Sequence, residues 1–148
     1  MPLIVRVPGM TEAGGISAVP VTSTDFFPTM LELAGIAMPP AAAPDGVSLV
    51  PALKGRETLD REELFWHYPH YHGSAWKPGG AMRSGDWKLI EFYEEDRIEL
   101  YHLGEDLGER NDLASQRPEK AAELHNRFRA WRRAVGAAMP QPNPEYTP

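Results

Sequence analysis

The segment Ala81-Met82-Arg83-Ser84-Gly85-Asp86-Trp87-Lys88-Leu89-Ile90-Glu91-Phe92 places a Ser-Gly-Asp tip between two runs with strand character. A Gly-Asp tip in this setting is typical of a tight β-hairpin. An aromatic run lies upstream at residues 64–68. Downstream, residues 98–103 alternate between apolar and polar side chains, as in a sheet with one face in water. The four runs predict a four-stranded antiparallel meander.

A helix is predicted after the meander. Pro118 suits the first turn of a helix, where a backbone N–H is expendable. Apolar side chains then recur at spacings of three and four, at Ala121, Leu124, Phe128, Trp131 and Val135. We expect this stripe to pack on the sheet, which makes residues 63–137 an α+β subdomain. Residues 138–148 are rich in proline and are predicted to form an extended tail.

The first 38 residues differ in character from the meander. Residues 3–7 form a short β-branched run closed by Pro8-Gly9, which predicts a strand. Asp25 and its neighbours offer capping oxygens for a helix over residues 25–34, and Gly35 is expected to end it. A strand that is apolar on both faces needs cover on both sides, as in a parallel α/β sheet. Residues 39–62, which open with prolines and alanines, are predicted to be a linker.

Composition excludes several classes of protein. The 148 residues include no cysteine, which excludes a disulfide framework, a thiolate metal site and a cysteine nucleophile. A net charge of −6 argues against binding to nucleic acid. Apolar runs are far too short for a membrane span, so no membrane partner is expected, and no signal peptide is visible. The compartment of this chain stays open; for a longer parent protein, the periplasm and the extracellular space are both possible.

One stretch is rich in chemically active side chains. Residues 67–72 hold three histidines and two tyrosines, and Trp76, Lys77 and the Gly79-Gly80 pair follow. Three interpretations stay open: a metal site, packed or solvated histidines, and contact with an anionic or sugar-like ligand. The acids of residues 94–96 are expected to be a solvated turn, and the isolated Asp25, Asp45 and Asp86 to have structural roles.

The order of several motifs resembles the C-terminal part of a type I sulfatase. These motifs, in chain order, are Ser23-Thr24-Asp25-Phe26-Phe27-Pro28-Thr29, Asp45-Gly46-Val47-Ser48-Leu49, Phe65-Trp66-His67-Tyr68-Pro69-His70, Arg83-Ser84-Gly85-Asp86-Trp87-Lys88 and Asp106-Leu107-Gly108-Glu109. The resemblance covers nearly the whole chain except its tail. It implies the end of an alkaline-phosphatase-like α/β domain, followed by a smaller domain with a four-stranded antiparallel sheet and a C-terminal helix.

The resemblance also implies an activity. Full-length relatives hydrolyse sulfate esters with a formylglycine and a calcium ion. This chain lacks the Cys/Ser-x-Pro-x-Arg motif, so we expect it to hold no catalytic residue, no metal and no cofactor of its own. It would shape the substrate pocket for a sulfated small molecule or carbohydrate. The candidate substrate-binding residues are His67, His70, Trp76, Lys77 and Arg83.

Two alternatives to a sulfatase fragment stay open. One is a stand-alone, noncatalytic module that binds a sulfated sugar or another chain. The other is a fragment of a phosphonate or phosphate ester hydrolase of the same superfamily. If the chain is a fragment, the strand at residues 3–7 and the helix at residues 25–34 lack their partners, and we expect self-association through them.

Overall fold

The fold divides into two compact units, Met1–Glu62 and Glu63–Pro148. A computed structural model describes residues 2–73, 76–141 and 143–145. In chain order the regular elements are α1 (Phe26–Leu33), α2 (Val50–Leu53), β1 (Glu63–Tyr68), β2 (Gly79–Ser84), β3 (Trp87–Phe92), β4 (Arg97–His102) and α3 (Pro118–Ala134). No helix in the described part of the chain has the length and apolar character needed to cross a membrane.

The second unit contains the predicted meander. Its four strands pair in the order β1-β2-β3-β4, and every pair is antiparallel. Ser84 pairs with Trp87, which leaves Gly85 and Asp86 as a two-residue loop. Gly85 has a φ of +58°, a conformation that glycine adopts without steric cost. The hairpin prediction is therefore confirmed.

Helix α3 covers one face of this sheet. The buried core between them consists of Met82, Leu89, Leu100, Ala121, Leu124 and Phe128. Trp131 extends this contact, because its ring stacks on Phe65 with centroids 4.7 Å apart. Val135 follows the last helical residue and is 54% exposed, so its assignment to the packed stripe is wrong.

The opposite face of the sheet, here the open face, carries a smaller apolar cluster. Alternation along the strands places Trp66 and Tyr68 there with the buried Ala81, Ile90 and Tyr101. Trp66 and Tyr68 are 42% and 43% exposed, respectively. The edge strand β1 therefore presents two aromatic rings to solvent at the end of the sheet that leads into the histidine-rich stretch.

The first unit contains the predicted helix. A short 3₁₀ turn, Ser23–Asp25, leads into α1. The Ile36 N–H donates to the Leu31 carbonyl at 2.9 Å, and the Gly35 N–H donates to Glu32 at 3.1 Å. These two bonds and the φ of +68° at Gly35 form a Schellman cap.

Two features of the first unit differ from expectation. The strand predicted over residues 3–7 is wrong, because the structure describes residues 2–7 without strand pairing. A strand needs a neighbour for its N–H and C=O groups, and the described part of the chain offers these residues none. In the segment predicted as a linker, α2 forms and buries Leu49 and Val50 to 3% and 2% exposure.

Candidate functional site

The candidate site centres on the connection between β1 and β2. We call its described residues, 69–73 and 76–78, the histidine loop. His70 is exposed, and its ring lies edge-on to Tyr68 with centroids 5.5 Å apart. His72 approaches the same tyrosine ring at 6.4 Å. The loop thus gathers two imidazoles around one exposed phenol ring at the end of the open face.

His67 lies on the other face of the sheet, beneath helix α3. Its Nε2 lies 2.8 Å from the carbonyl oxygen of Ala138, and its Nδ1 lies 2.6 Å from the hydroxyl of Tyr93. Because a carbonyl only accepts, Nε2 carries the proton, and in the neutral ring Nδ1 accepts the Tyr93 hydroxyl proton. Burial raises the pKa of Tyr93, against the opposing influence of Arg132. Both ring nitrogens of His67 are therefore used within the chain.

A glycine makes this arrangement under α3 sterically feasible. Gly79 and Gly80, the glycine pair that follows Trp76 and Lys77 in the sequence, are the first two residues of strand β2. A Cβ on Gly80 would lie 2.5 Å from the Phe128 ring, 2.7 Å from the Trp66 carbonyl oxygen, and closer still to the Tyr93 hydroxyl. Only a residue without a side chain lets these groups meet.

Lys77 points to the turn between β3 and β4. We call residues 93–96 the acidic turn. The ammonium of Lys77 forms an ion pair with Glu95, and the Tyr71 hydroxyl donates to Glu94. The hydrogen bond from Lys77, followed by that from Arg97, lowers the pKa of Glu95. Residues 94–96 are exposed, as expected of a solvated turn, and Glu94 and Glu95 are in addition paired with the histidine loop.

Trp76 packs down onto the open face of the sheet. It joins the cluster of Ala81, Ile90 and Tyr101, and its ring lies 6.0 Å from that of Phe92. Its indole Nε1 is buried, with no hydrogen-bond partner among the described residues. The tryptophan therefore fixes one end of the histidine loop through apolar contact.

Arg83 lies apart from the other candidates. Arg83 is four residues from Gly79 along β2. At a rise of about 3.3 Å per residue, the backbone of Arg83 lies about 13 Å from that of Gly79, where the histidine loop ends. Its Nε donates to the carbonyl of Gly85 at 2.9 Å in the hairpin. The structure therefore brings His70, Trp76 and Lys77 into one loop, with His67 below the sheet and Arg83 at its far end.

A partly buried polar cluster, linked to His67 through Tyr93, escaped the sequence analysis. Both guanidinium nitrogens of Arg132 approach the Glu91 carboxylate, at 2.9 and 3.2 Å. His125 reaches the same carboxylate at 3.2 Å, and the Arg132 guanidinium lies 4.9 Å from the Tyr93 ring centroid. Strand β3 and helix α3 are far apart in sequence, so no local motif indicates this cluster.

The first unit has its own buried charge. Asp25 is fully buried and accepts two bonds from Arg61, at 2.5 and 3.0 Å, and backbone bonds from Thr22 and Val47. Burial raises the pKa of Asp25, but the bonds from Arg61 and the two amides outweigh it and hold the pKa below its ordinary value. The expected structural role of Asp25 agrees with this geometry.

The residues present do not fit a calcium ion or a formylglycine. Within residues 2–73, 76–141 and 143–145, no group of three or more His, Cys, Asp or Glu side chains could hold a metal ion. The chain has no cysteine and no Ser-x-Pro-x-Arg sequence. No hydrolytic step is therefore assigned to these side chains.

Comparisons with known proteins give a consistent result. The family model described as N-sulphoglucosamine sulphohydrolase, C-terminal, matches residues 1–134. A sulfatase of Formosa agariphila is 33% identical over 146 residues, covering 88% of this chain and 26% of the relative. The chain thus spans about a quarter of the length of that relative.

Solved structures show the same similarity. One, a complex with its substrate D-glucosamine-2-N,6-O-disulfate, has a TM-score of 0.73 and 29% identity, and covers 88% of this chain and 27% of that chain. A phosphonate monoester hydrolase from Silicibacter pomeroyi has a TM-score of 0.65 at 24% identity, covering 87% of this chain and 28% of its own. The latter shows a shared fold alone.

Proposed function

We propose that this chain, which belongs to the C-terminal domain family of N-sulphoglucosamine sulphohydrolase and related sulfatases, is part of a larger enzyme. That enzyme would hydrolyse sulfate esters of a carbohydrate, and the chain would be its C-terminal domain. The observation that carries the proposal is the likeness, over 88% of this chain, to a structure with a bound sulfated glucosamine. The catalytic nucleophile and the calcium ion would come from a part of the enzyme outside these 148 residues. The chain alone is then expected to leave sulfate esters intact.

The chain's own contribution would be one wall of the substrate pocket. His70 is exposed and its imidazole can donate a hydrogen bond to a sulfate oxygen. The exposed rings of Trp66 and Tyr68 offer flat apolar surfaces on which a sugar ring can stack. We place His70 in direct contact with ligand and keep Trp76, Lys77, His67 and Arg83 as residues that shape or flank the wall.

The size of the native protein tests whether a larger enzyme contains this domain. An antibody against residues 117–133 would be used to probe the host lysate. A band several times heavier than 16.5 kDa supports the proposal. A single band at 16.5 kDa contradicts it and favours a separate, noncatalytic binding module.

Calorimetric titration tests the proposed ligand contact. We expect the 148-residue chain to bind D-glucosamine-2-N,6-O-disulfate and to ignore unsulfated glucosamine. His70→Ala should weaken binding about tenfold, since a hydrogen bond to a charged group contributes about 1.5 kcal/mol or more. Asn126→Ala, an exposed residue on α3, is the matched control. Equal affinity of the His70 variant and the control would remove His70 from the site.

A further inference from the structure

The histidine loop is tied to the acidic turn by contacts on both sides of His72. Before it, the Tyr71 hydroxyl donates to Glu94, and after it, Lys77 pairs with Glu95. A backbone bond reinforces the second tie, because the Tyr93 N–H donates to the Pro78 carbonyl at 3.0 Å. The loop is also closed on itself by a bond of 3.1 Å from the His72 N–H to the Trp76 carbonyl.

Lys77 is engaged in a network of four charges. Glu95 accepts from Lys77 and also from Arg97, at 2.9 Å, and Arg97 reaches Glu99 as well. Arg97 is itself held in place, since its guanidinium carbon lies 3.9 Å from the centroid of the Phe92 ring. An isolated surface ion pair contributes little, but a network with fixed geometry contributes more. The Lys77 charge is therefore directed at the acidic turn.

This geometry carries an inference that rests on the proposed function. We propose that the acidic turn is a positioning element for the histidine loop: Glu94 and Glu95 hold Tyr71 and Lys77 so that His70 faces the sulfated sugar. Lys77 then acts through Glu95 and does not contact the ligand. This assigns a role to the acidic turn and changes the role expected for Lys77.

The direction in which one substitution changes the affinity for the ligand separates a positioning role from direct contact. Glu95→Gln removes a negative charge near an anionic ligand, which on electrostatic grounds alone tightens binding. If Lys77 contacts the sulfate, the freed lysine tightens binding further. If Glu95 positions the loop, the same substitution weakens binding. Only loss of the loop geometry produces weaker affinity after the removal of a repulsive charge.

The experiment is a double-mutant cycle on the 148-residue chain, with D-glucosamine-2-N,6-O-disulfate as the probe. We expect Glu95→Gln to weaken binding about threefold, a modest effect in keeping with an ion-pair network at the surface. Lys77→Met should have a similar effect, and the double variant should be no weaker than either single variant. Glu105→Gln removes the same charge from an exposed loop residue and is the control. Tighter binding by Glu95→Gln, or additive losses, would overturn the proposal.

Amide exchange keeps the two proposals distinguishable. The Tyr93 N–H is protected by its bond to Pro78, so loosening of the loop in Glu95→Gln should speed its exchange. If the wild-type chain binds no sulfated sugar, the proposed function fails, and faster Tyr93 exchange still supports the positioning contact. If the chain binds the sugar but both the affinity and the exchange of Glu95→Gln match wild type, only the positioning role is refuted.

Discussion

Gly80→Ala is the most specific structural prediction, because it adds one methyl group where three elements meet. The new Cβ would lie 2.5 Å from the Phe128 ring and 2.7 Å from the carbonyl oxygen of Trp66. Phe128 is fully buried and the Trp66 carbonyl is backbone in a paired strand, so neither moves easily. The Tyr93 hydroxyl, which bonds to His67, must also shift.

The expected loss follows from the balance of two effects. Overpacking in a core costs about 1 to 3 kcal/mol. Alanine recovers about 0.5 to 1 kcal/mol, because glycine loses more chain entropy on folding. At the midpoints of these two ranges, the net loss in unfolding free energy is about 1 kcal/mol. In a unit of this size each kcal/mol lowers Tm by about 4 to 8 °C.

Tryptophan fluorescence during thermal or urea unfolding measures this loss. All four tryptophans lie after residue 62, so the signal reports the second unit alone. Gly73→Ala is the matched control, because a Cβ there would meet no atom within 4 Å. We expect the control to unfold within about 0.5 kcal/mol of wild type. An unfolding midpoint of Gly80→Ala equal to that of the control would refute the packing argument.

Three further predictions concern the first unit. Asp25→Ala should lower the free energy of unfolding by about 3 to 5 kcal/mol, because it leaves Arg61 without its buried partner. The substitution should also speed amide exchange at Val47 and Leu49. The pKa of Asp25 is lowered in the folded state. The contribution of Asp25 to the free energy of unfolding is therefore complete at pH values above the ordinary pKa of 3.8, and it is lost as the pH falls through the lowered pKa. Unchanged amide exchange in Asp25→Ala, or equal acid sensitivity of the variant and the wild type, would contradict this account. Sedimentation velocity should show that the chain self-associates, because Phe27 and Met30 of α1 are 50% and 60% exposed. In a double variant, Phe27→Glu with Met30→Glu, the association equilibrium should shift toward the monomer. A wild-type chain that is monomeric at all concentrations would show that these side chains do not form an interface.

The sequence predicts those parts of the fold that depend on local periodicity. The hairpin tip at Gly85-Asp86 and the stripe of Leu124, Phe128 and Trp131 specify neighbours within a few residues or one turn. The structure shows both as expected. The prediction of a strand at residues 3–7 is wrong because a strand does not depend on local periodicity alone. It needs a neighbouring strand to pair with its N–H and C=O groups.

The candidate site was predictable in part. The concentration of histidines and aromatic residues in residues 67–77 identifies the loop. Its anchoring does not follow from local spacing, because the bonds from Tyr71 and Lys77 end on a turn about twenty residues away. The requirement for glycine at position 80 also depends on tertiary contacts, because only the packed position of Phe128 shows why a side chain is excluded there.

Histidine-ring NMR tests the central claim most directly. The chain has five histidines, and ¹³C–¹H spectra resolve each ring during titration with D-glucosamine-2-N,6-O-disulfate. The account predicts saturable shifts at His70, little change at His67, His102 and His125, and no response to unsulfated glucosamine. A sulfated sugar that leaves the His70 ring unchanged, or that shifts all five rings alike, would contradict the assignment of this loop as the wall of a sulfated-carbohydrate pocket.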